Sequence, residues 1–533
     1  MITKNKLHDL SSFDWQDSIY DNIIDIRQLI TSSVQSNGDT LFLKPFEKEI
    51  TEMSFNGIFI WACGFETFLN ENKIKMGDRV AVMFHNSSLM VLLFLSTLFS
   101  GRVFVPINPY SSSNEVDYII NTSKVNLFLF DNIFKQFNKP IYSRLKKISV
   151  KEHVAFIDRI KTMGKNKSDI DPLDENPIAQ IVYTSGTTGK PKGVVLSHKN
   201  LLADSFGLGK TFNFNKSDNF LTIAPLFHNS GQILTTLAPL WCGSNTTAVR
   251  SDMGLINFWN YVDRFKINWS LGMAAHVNFL IESDSHPLEK TLKGFFCGGS
   301  KLDLDNQEIF EKRFKIPVFT NYGLTETTSI ATCRMPDDQT FSIGSVGKSL
   351  PINKIKIVNE KQNKIFNQRV GEIMIKGDNL FQGYFKDPKL TSNKIKDGWF
   401  NTGDLGYFDI NNNLFIVDRI DNMIIVGGEN VYPIEVESIL SKIKEISEGL
   451  LLSRPHKILG NELVLVFKLR KGASENVKEW SKIIQKNVSA FKVPKVFVNI
   501  NLLEEKEIPK SPNGKVLRGK TKELLVTYFN KLS

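Results

Sequence analysis

Cysteine is scarce in this chain of 533 residues. Its four cysteines, Cys63, Cys242, Cys297 and Cys333, are far apart and form no C-x-x-C pair. Zinc sites and disulfide frameworks both need cysteines that are closely spaced or numerous. The sequence therefore disfavours both kinds of site, and a reducing compartment is the natural expectation.

Long apolar runs are also absent. The most apolar stretch, residues 89–99, is interrupted by Ser96 and Thr97. It falls well short of the ~20 apolar residues that a membrane-spanning helix needs. Residues 1–17 are polar and mixed in charge, without the apolar segment of a secretory signal. We expect a cytoplasmic protein with no transmembrane segment, and peripheral membrane contact stays open.

The chain lacks a strong bias of charge as well. Its 66 lysines and arginines exceed its 56 acidic residues by a net charge of +10, a mild excess that favours anionic ligands in general. Because no long basic tract or recognition motif accompanies this charge, we predict no nucleic-acid partner. The length exceeds the ~250–300 residues of a single core, which predicts several domains.

The apolar pattern between residues 76 and 110 indicates α/β architecture. Residues 78–84 predict a strand, Asn86 or Ser87 can cap the apolar helix that follows, and residues 103–106 predict the next strand. Strand, helix and strand within about 30 residues are typical of a parallel βαβ unit.

The texture of the sequence changes after about residue 340. Short apolar runs separated by glycine and asparagine turns predict a small β-rich subdomain at about 340–420. Helices alternate with strands from residue 421 to the end. We therefore predict an α/β fold with a large N-terminal domain, 1–420, built of parallel α/β subdomains and the β-rich subdomain, and a smaller, mobile α+β C-terminal domain, 421–533.

Residues 183–193 are the most informative segment. They include four hydroxyl side chains besides tyrosine, three glycines and two lysines. Glycines let a backbone approach a ligand closely, and N–H groups with hydroxyls can hold phosphate oxygens. The segment is not a Walker loop, because Pro191 follows Gly189-Lys190, and this disfavours a kinase. A flexible linker between two strands is the alternative interpretation.

Four later segments carry side chains suited to nucleotide chemistry. Tyr322 offers a ring for stacking, Glu326 a carboxylate for a hard cation, and Asp404 a carboxylate for ribose hydroxyls. A Pro-Asn-Gly turn presents Lys515. Taken alone, each pattern is more typical of an ordinary turn or a solvated side chain. The segments are residues 321–327, 401–406, 418–433 and 509–518.

In this order, the five segments resemble the adenylate-forming superfamily, which comprises acyl-CoA synthetases, nonribosomal peptide adenylation domains and beetle luciferases. The resemblance spans about residues 40 to 525. It implies ATP and Mg²⁺ as cofactors and CoA as co-substrate. It also implies catalytic roles for Thr184, Thr325, Glu326 and Lys515, with Glu326 as the Mg²⁺ ligand and Lys515 bridging the substrate carboxylate and the α-phosphate.

The resemblance implies three further groups of residues. The nucleotide-binding residues are Thr184, Ser185, Gly186, Thr187, Thr188, Gly189, Lys192, Gly298, Gly299, Ser300, Asn321, Tyr322, Gly323, Thr325, Asp404, Arg419 and Lys515. The substrate-pocket residues are His228, Asn229, Gly231, Gly298 and Gly323. The residues of the CoA tunnel and hinge are Asp421, Gly427, Gly428 and Glu429. One departure is Asp418, where the superfamily usually has glycine, and we expect it to affect hinge flexibility.

The segment 224–231 bears on the substrate. It contains no acidic residue, whereas relatives that activate amino acids place an aspartate in this pocket to bind the ammonium group. His228 matches the position of an aromatic gate in acyl- and aryl-CoA ligases, although a histidine satisfied within the fold is the plainer interpretation. The resemblance thus implies an ATP-dependent acyl-CoA ligase of the fatty-acid, aryl or carnitine type, acting through an acyl-AMP intermediate.

Other functions stay open at this point. An acyl-adenylate ligase that loads the phosphopantetheine of a carrier protein would share every segment named above. A nucleotide-binding homologue without turnover is disfavoured by the intact Glu326, Asp404, Arg419 and Lys515. A luciferase-like oxygenase is remote. The sequence leaves the acid's chain length and the oligomeric state undetermined.

Overall fold

The protein is described from a computed structural model that covers residues 17–138, 145–165, 173, 178–184, 191–359, 363–365, 368–510 and 516–532. The chain divides into two compact units. The first consists of Met1–Ile355 and Ile375–Phe400, and the second of Lys356–Met374 and Asn401–Ser533. The division passes within three strands, Asn353–Val358, Gly371–Gly377 and Trp399–Phe408.

The first unit combines helices with two large sheets. Its described helices are Asp17–Asn22, Ile26–Asn37, Phe55–Glu71, Ser88–Phe99, Ser113–Ser123, Lys135–Asn138, His153–Gly164, His198–Phe212, Asn229–Gln232, Ile233–Leu237, Ala238–Cys242, Ser251–Ile256, Phe258–Phe265, Ala274–Glu282, Leu304–Phe314, Thr325–Thr327 and Pro388–Lys394. Its described strands are Leu41–Leu43, Met53–Ser54, Arg79–Met83, Val103–Pro106, Leu127–Asp131, Lys146–Val150, Ile178–Thr184, Lys192–Ser197, Asn219–Thr222, Asn245–Ala248, Trp269–Gly272, Gly294–Cys297, Val318–Tyr322, Thr332–Cys333, Lys348–Ser349, Gly383–Tyr384 and Ile395–Lys396.

One sheet of seven strands contains the predicted βαβ unit. Strand Arg79–Met83 pairs in parallel with Val103–Pro106, and the buried helix Ser88–Phe99 connects them. The side chain of Ser87 accepts a hydrogen bond from the Met90 amide, so Ser87 is the cap of this helix. The predicted βαβ unit is therefore confirmed, as is the α/β fold class with parallel sheets.

The other large sheet has nine strands, of which six neighbours run parallel. In spatial order these six are Leu41–Leu43, Asn245–Ala248, Asn219–Thr222, Trp269–Gly272, Gly294–Cys297 and Val318–Tyr322. The carboxyl ends of parallel strands lie at one edge of the sheet, where ligands bind in open α/β sheets. The segments after these strands, which include residues 223–231, 298–300 and 323–326, therefore belong to the same edge.

Aromatic side chains fill the core beneath this second sheet. The Phe212 ring lies 4.6 Å from that of Phe296 and 4.9 Å from that of Phe319, measured between centroids. The Phe214 ring lies 5.2 Å from that of Trp269. Such edge-to-face pairs are favourable for buried rings. The abundance of phenylalanine in the sequence is therefore explained, at least here, by core packing.

The second unit is built around antiparallel strands. Its further described strands are Leu414–Arg419, Ile424–Val426, Glu429–Val431, Ile446–His456, Gly460–Leu469 and Val496–Asn499. Its described helices are Ile420–Asn422, Pro433–Glu437, Leu440–Lys442, Val477–Gln485, Ala490–Lys492, Ile500–Leu503 and Arg518–Leu532. The domain boundary predicted at residue 421, and the mobility of the part that follows it, stay predictions.

Among the residues that the structure describes, no helix has the length and apolar character required to cross a membrane.

Candidate active site

The strands that flank the predicted phosphate loop form a hairpin. Strand Ile178–Thr184 pairs antiparallel with Lys192–Ser197, and Thr184 lies directly opposite Lys192. Both residues are partly buried. The structure thus brings the two ends of the predicted loop side by side. The predicted nucleotide-binding residues Ser185, Gly186, Thr187, Thr188 and Gly189 lie outside the described residues.

Glu326, the predicted metal ligand, is tied to a neighbouring strand. It lies in the short helix Thr325–Thr327, and its Oε1 accepts a hydrogen bond of 2.8 Å from the Tyr384 hydroxyl. Its carbonyl oxygen accepts a second bond, of 2.9 Å, from the Phe381 amide. Tyr384 in turn lies opposite Val194 on the strand that leaves the phosphate loop. Tyr384 therefore links the predicted metal ligand to the strand Lys192–Ser197.

The turn that carries Thr325 and Glu326 is closely folded. A Cβ atom added to Gly323 would lie 1.7 Å from the Ser329 carbonyl oxygen, so only glycine fits there. Thr328 has a φ of +62°, a region that is costly for a β-branched residue. Such a conformation persists only where the surroundings hold it in place. Thr325 itself is partly buried beside Glu326.

Buried amide side chains restrain the backbone at Thr327 and Thr328. Asn229 Nδ2 donates to the Thr328 carbonyl oxygen at 2.5 Å, and Asn379 Nδ2 donates to that of Thr327 at 3.0 Å. The Thr328 hydroxyl donates to the Asn379 carbonyl oxygen at 2.7 Å. Asn229 also accepts a bond of 3.1 Å from Gln180, which lies on the strand entering the phosphate loop. Asn229 thus links the Glu326 turn to the strand that enters the phosphate loop. Asn379 links the same turn to the segment before Tyr384.

Asp204 supports the same turn from the helix His198–Phe212. Its Oδ2 accepts a hydrogen bond of 3.1 Å from the Ile330 amide. The side chain is fully buried, and Oδ1 has no partner among the described residues. Burial raises the pKa of the Asp204 carboxyl well above its ordinary value of 3.8, against the opposing effect of hydrogen bonds from Ile330, Ser329 and Asn379. The carboxyl is therefore protonated more readily in the fold than in the unfolded chain.

This shift predicts how stability depends on pH. A raised pKa in the folded state contributes stability that is complete below the unfolded pKa and is lost as pH rises through the folded pKa. The Asp204→Asn variant keeps a neutral acceptor and lacks this titration. We expect the free energy of unfolding of the wild type to fall relative to the variant as the pH rises above about 4.

Urea denaturation of the two proteins between pH 4 and pH 8 measures this difference. A difference in unfolding free energy that is constant over the range would contradict the raised pKa.

The predicted adenine segments lie at the ends of adjacent parallel strands. A Cβ atom added to Gly298 would lie 2.1 Å from Asn321 Oδ1, so the two predicted residues are in contact. Gly299 has a φ of +77°, and both Gly299 and Ser300 are exposed. Tyr322 ends the strand Val318–Tyr322 and is partly buried. These five residues, all predicted to bind the nucleotide, therefore lie at one edge of the sheet.

The predicted substrate segment follows the strand Asn219–Thr222 at that edge. His228 is partly buried, and its ring centroid lies 4.5 Å from that of Phe227. Gly231 is buried, and its carbonyl oxygen accepts a bond of 2.7 Å from the Thr235 hydroxyl. Residues Ile233–Leu237 form a π-helix, an irregularity that is frequent at functional sites. The two polar ends of the Asn229 amide are engaged within the protein, as described above.

The second unit contains the predicted ribose-binding pair. Asp404 and Arg419 lie opposite each other on paired strands, and Arg419 Nη1 is 2.8 Å from Asp404 Oδ1. Asp404 is 5% exposed, and Arg419 is partly exposed. Asp404 and Arg419 are therefore in contact. Their role in binding ribose stays a prediction.

Asp418, the departure from the superfamily, makes three hydrogen bonds within this unit. Its Oδ1 accepts from the Arg419 amide at 2.7 Å and from Asn422 Nδ2 at 2.8 Å, and its Oδ2 accepts from the Ile434 amide at 3.2 Å. It therefore joins the predicted hinge segment, which includes Asp421, to the start of helix Pro433–Glu437. A glycine could make none of these side-chain bonds.

We expect Asp418→Gly to lower the free energy of unfolding by about 1–3 kcal/mol, because three acceptor contacts are lost. Urea denaturation measures the loss. Asp418→Asn, which keeps one acceptor oxygen, is the control and should lose less. Equal stability of the wild type and the glycine variant would show that the three bonds contribute nothing.

The predicted CoA-tunnel glycines occupy a two-residue turn. Gly427 and Gly428 connect strands Ile424–Val426 and Glu429–Val431, with φ of +58° and +90°. Two successive residues with positive φ are typical of the tight turns that join right-twisted strands. The glycines are therefore required by the turn itself, and Asp421, Gly427, Gly428 and Glu429 are all exposed. Their roles toward CoA stay predictions.

Lys515, the predicted catalytic lysine, lies outside the described residues. The chain on either side of it is held in place. Lys510 forms an antiparallel bridge with Val516, and the Leu517 amide donates to the Pro509 carbonyl oxygen at 2.8 Å. Arg518 Nη2 is 2.5 Å from both carboxylate oxygens of Glu437.

Several residues that contact the predicted ones have no sequence signal of their own. They are Gln180, Asp204, Asn379 and Tyr384 in the first unit and Glu437 in the second. Each acts on a partner distant in the chain, as Tyr384 does on a carboxylate 58 positions away. No local spacing encodes such a pair. Residues 381–385 carry no sequence pattern that points to this partner.

The donor set fits the Mg²⁺ that the superfamily implies. Glu326 supplies a partly exposed carboxylate, the kind of oxygen ligand that Mg²⁺ prefers. The described residues contain no group of three or more histidine, cysteine or acidic side chains that could hold a metal on its own. A site of this kind is usual for Mg²⁺ that is bound by one or two carboxylates together with substrate phosphates.

Comparison with known proteins identifies the family. Residues 32–385 match the family of AMP-binding enzymes. The chain is 29% identical over 462 residues to the oxalate–CoA ligase of Arabidopsis thaliana, covering 84% of this chain and 88% of the relative. It is 28% identical over 533 residues to the long-chain-fatty-acid–CoA ligase of Bacillus subtilis strain 168, covering 92% and 93%.

Solved structures share the fold. The ATP-bound MatB enzyme from Rhodopseudomonas palustris superposes with a TM-score of 0.84 at 24% identity, over 94% of this chain and 98% of that one. The o-succinylbenzoate CoA synthetase of Bacillus subtilis, in complex with its acyl-adenylate intermediate, gives 0.81 at 24% identity, over 93% and 97%.

The fold is therefore that of an adenylate-forming enzyme, with a large N-terminal and a small C-terminal part. The chain belongs to the AMP-binding enzyme family, since the family match covers well over half of it. The predicted superfamily is thus confirmed. The CoA ligases among its relatives are consistent with the predicted class of enzyme, an AMP-forming acid–thiol ligase.

Proposed function

We propose that this protein is an ATP-dependent acyl-CoA ligase that activates a non-amino carboxylic acid, either a fatty acid or a related acyl or aryl acid. One observation carries the proposal beyond family membership. The Tyr384 hydroxyl bonds to Glu326, and Tyr384 pairs with the strand that closes the phosphate-loop hairpin, so this strand and the segment 321–327 are linked through one residue.

In the first half-reaction, a carboxylate oxygen of the acid attacks the α-phosphorus of ATP, and the bond to pyrophosphate breaks. The Thr184 hydroxyl and the Thr325 hydroxyl would donate hydrogen bonds to phosphate oxygens. The Lys515 ammonium would hold the attacking carboxylate against the α-phosphate, a task that suits a compact point charge. Glu326 would hold Mg²⁺, whose positive charge would offset the charge that develops on the phosphoryl oxygens.

In the second half-reaction, the sulfur of CoA attacks the acyl carbon of the acyl-AMP. The acyl–phosphate bond breaks, AMP leaves, and the thiol proton is released. Gly427 and Gly428 would border the path of the pantetheine arm, where no side chain obstructs it. Among the described residues, a Cβ atom on Gly428 would meet nothing within 4 Å.

The class of acid is supported by the segment after strand Asn219–Thr222. Residues 224–231 contain no carboxylate that could pair with a substrate ammonium group. Relatives of this chain include ligases named for oxalate, long-chain fatty acids and 2-succinylbenzoate, all acids without an amino group. His228, partly buried beside Phe227, would close the pocket as an aromatic gate.

The experiment is a screen of AMP release with acids of graded chain length, aryl acids and amino acids, each with and without CoA. We expect turnover with a non-amino acid only when CoA is present, together with an equal loss of free thiol. The wild type without any acid gives the background.

Three outcomes would contradict the proposal. Release of ADP in place of AMP would indicate a kinase. Preference for an amino acid would exclude the proposed acid class. Turnover that needs a phosphopantetheinyl carrier protein, and that ignores free CoA, would exclude CoA as acceptor.

A further inference from the structure

Tyr384 is the one residue of the site that contacts the predicted metal ligand and also belongs to the strand ladder of the phosphate loop, within the part of the chain that the structure describes. We propose that Tyr384 is a positioning residue, whose hydroxyl holds Glu326 in the orientation that binds the divalent cation of the cation–ATP complex. This inference rests on the proposed function, because it gives Glu326 its role as metal ligand.

The Tyr384 hydroxyl has a fixed position. Tyr384 is 8% exposed, and its ring packs against that of Phe381 at a centroid distance of 4.9 Å. The Tyr384 amide donates to the Thr391 hydroxyl oxygen at 2.9 Å. Both the ring and the backbone are therefore held, and the hydroxyl reaches Glu326 Oε1 at 2.8 Å.

The Glu326 carboxylate is restrained by this hydroxyl. A hydrogen bond from Tyr384 to Oε1 restricts rotation of the Glu326 side chain and leaves Oε2 without a donor among the described residues. The backbone of Glu326 is restrained independently by the Phe381 amide. A carboxylate held in this way loses little conformational entropy when it binds a cation, and residues that orient a metal ligand commonly affect affinity 10- to 100-fold.

Tyr384 is also linked to the strand that follows the phosphate loop. Tyr384 lies opposite Val194, and the amides of Gln382 and Phe385 donate to the carbonyl oxygens of Val195 and Gly193. Lys192, at the start of that strand, has its Nζ 5.9 Å from the Tyr384 ring centroid. Any shift of the strand would be passed to Glu326 through one rigid side chain. The arrangement would therefore keep the metal ligand in register with the residues that grip the phosphates.

The test uses Tyr384→Phe, which removes one oxygen atom and preserves the packed ring. Binding of Mn²⁺ in the presence of a non-hydrolysable ATP analogue is followed by electron paramagnetic resonance, a measurement that needs no turnover. We expect the dissociation constant of Mn²⁺ to rise about 10- to 100-fold. The half-saturating Mg²⁺ concentration for AMP release should rise by a similar factor, with kcat at saturating Mg²⁺ within about threefold of the wild type.

Two controls accompany the variant. Tyr407→Phe removes a hydroxyl from a ring that stacks on Phe415 at 5.0 Å, in the other unit, and should leave Mn²⁺ binding unchanged. Glu326→Gln removes the charged ligand itself and sets the lower limit of affinity. Thermal melts of all the variants test whether each is folded.

The proposal is overturned if Tyr384→Phe binds Mn²⁺ within twofold of the wild type. It is also overturned if kcat falls while the half-saturating Mg²⁺ concentration stays the same, because a merely structural role gives that pattern. Failure of the proposed function would look different. The wild type would then release no AMP with any acid, and Glu326→Gln would bind Mn²⁺ as well as the wild type does.

Discussion

Replacing Lys515 with alanine is expected to reduce adenylate formation by about 10²- to 10³-fold, the usual effect of removing one preorganised charge from a developing transition state. Thiolysis of added acyl-AMP should continue at nearly the wild-type rate. The two half-reactions separate because the ammonium group is needed to hold the carboxylate against the α-phosphate. That contact no longer exists once the acyl–phosphate bond has formed.

The described chain on both sides of Lys515 supports a local effect of this substitution. The bridge between Lys510 and Val516, and the ion pair between Arg518 and Glu437, hold the flanking residues without a contribution from the lysine. Burial raises the pKa of Glu437, while Arg518 and the Leu451 amide act in the opposite direction. The alanine variant should therefore remain folded.

Pyrophosphate exchange measures the first half-reaction, and release of AMP from synthetic acyl-AMP with CoA measures the second. Lys522→Ala, at an exposed position of helix Arg518–Leu532, is the matched control and should leave both rates unchanged. Normal pyrophosphate exchange in Lys515→Ala would remove this lysine from the mechanism.

Local sequence patterns predicted the elements of the site but not the contacts that hold them together. The apolar pattern around residues 78–106 predicted a strand, a capped helix and a second strand, because each depends on neighbours along the chain. The order of the motifs predicted which strand ends would carry chemistry. The first prediction depends only on residues within about 30 positions of one another, whereas the second depends on short motifs read in their order along the chain.

The supporting residues could not be predicted in this way. Asp204 bonds to Ile330, 126 positions away, and Asn229 to Thr328, 99 positions away. In the sequence, Asp204 is an isolated polar residue on an otherwise apolar helix face. Its partner is apparent only from the fold. Asn229 illustrates the same limit, since its amide links the strand Ile178–Thr184 to the turn after Glu326, a contact that its own segment does not encode.

Asp418 shows how a departure from a family pattern acquires meaning. From the sequence it was an exception at a position where glycine is usual, with an expected effect on flexibility. In the structure its carboxylate receives three hydrogen bonds from the hinge segment and from the helix that follows. Asp418 therefore adds hydrogen bonds that connect the hinge segment to the following helix within the second unit.

The tight turn before Glu326 leads to the other large expected effect. Gly323→Ala should reduce AMP release by roughly 10²-fold, the order of loss that follows when reacting groups are displaced by about 1 Å. The added Cβ would lie 1.7 Å from the Ser329 carbonyl oxygen, 2.7 Å from its carbon and 3.0 Å from Ile330 Cα. All three are backbone atoms, so no side-chain rotation relieves the contact.

The turn has nowhere to move without displacing functional groups. On one side the Ala331 amide is bonded to the Tyr322 carbonyl oxygen at 2.8 Å, and on the other Asp204 holds the Ile330 amide. The displacement must therefore be taken up by the residues between them, which include Thr325 and Glu326. Both the hydroxyl offered to phosphate and the carboxylate offered to the cation would be misplaced together.

A matched substitution separates this effect from the general cost of adding a methyl group. Gly57→Ala places its Cβ 3.4 Å from the nearest atom, an ordinary contact within helix Phe55–Glu71, and should leave AMP release unchanged. Thermal melts report whether Gly323→Ala remains folded, and binding of the ATP analogue reports whether the nucleotide site is retained. Wild-type AMP release in folded Gly323→Ala would mean that the turn can shift without cost, and that the positions of Thr325 and Glu326 are not critical for adenylation.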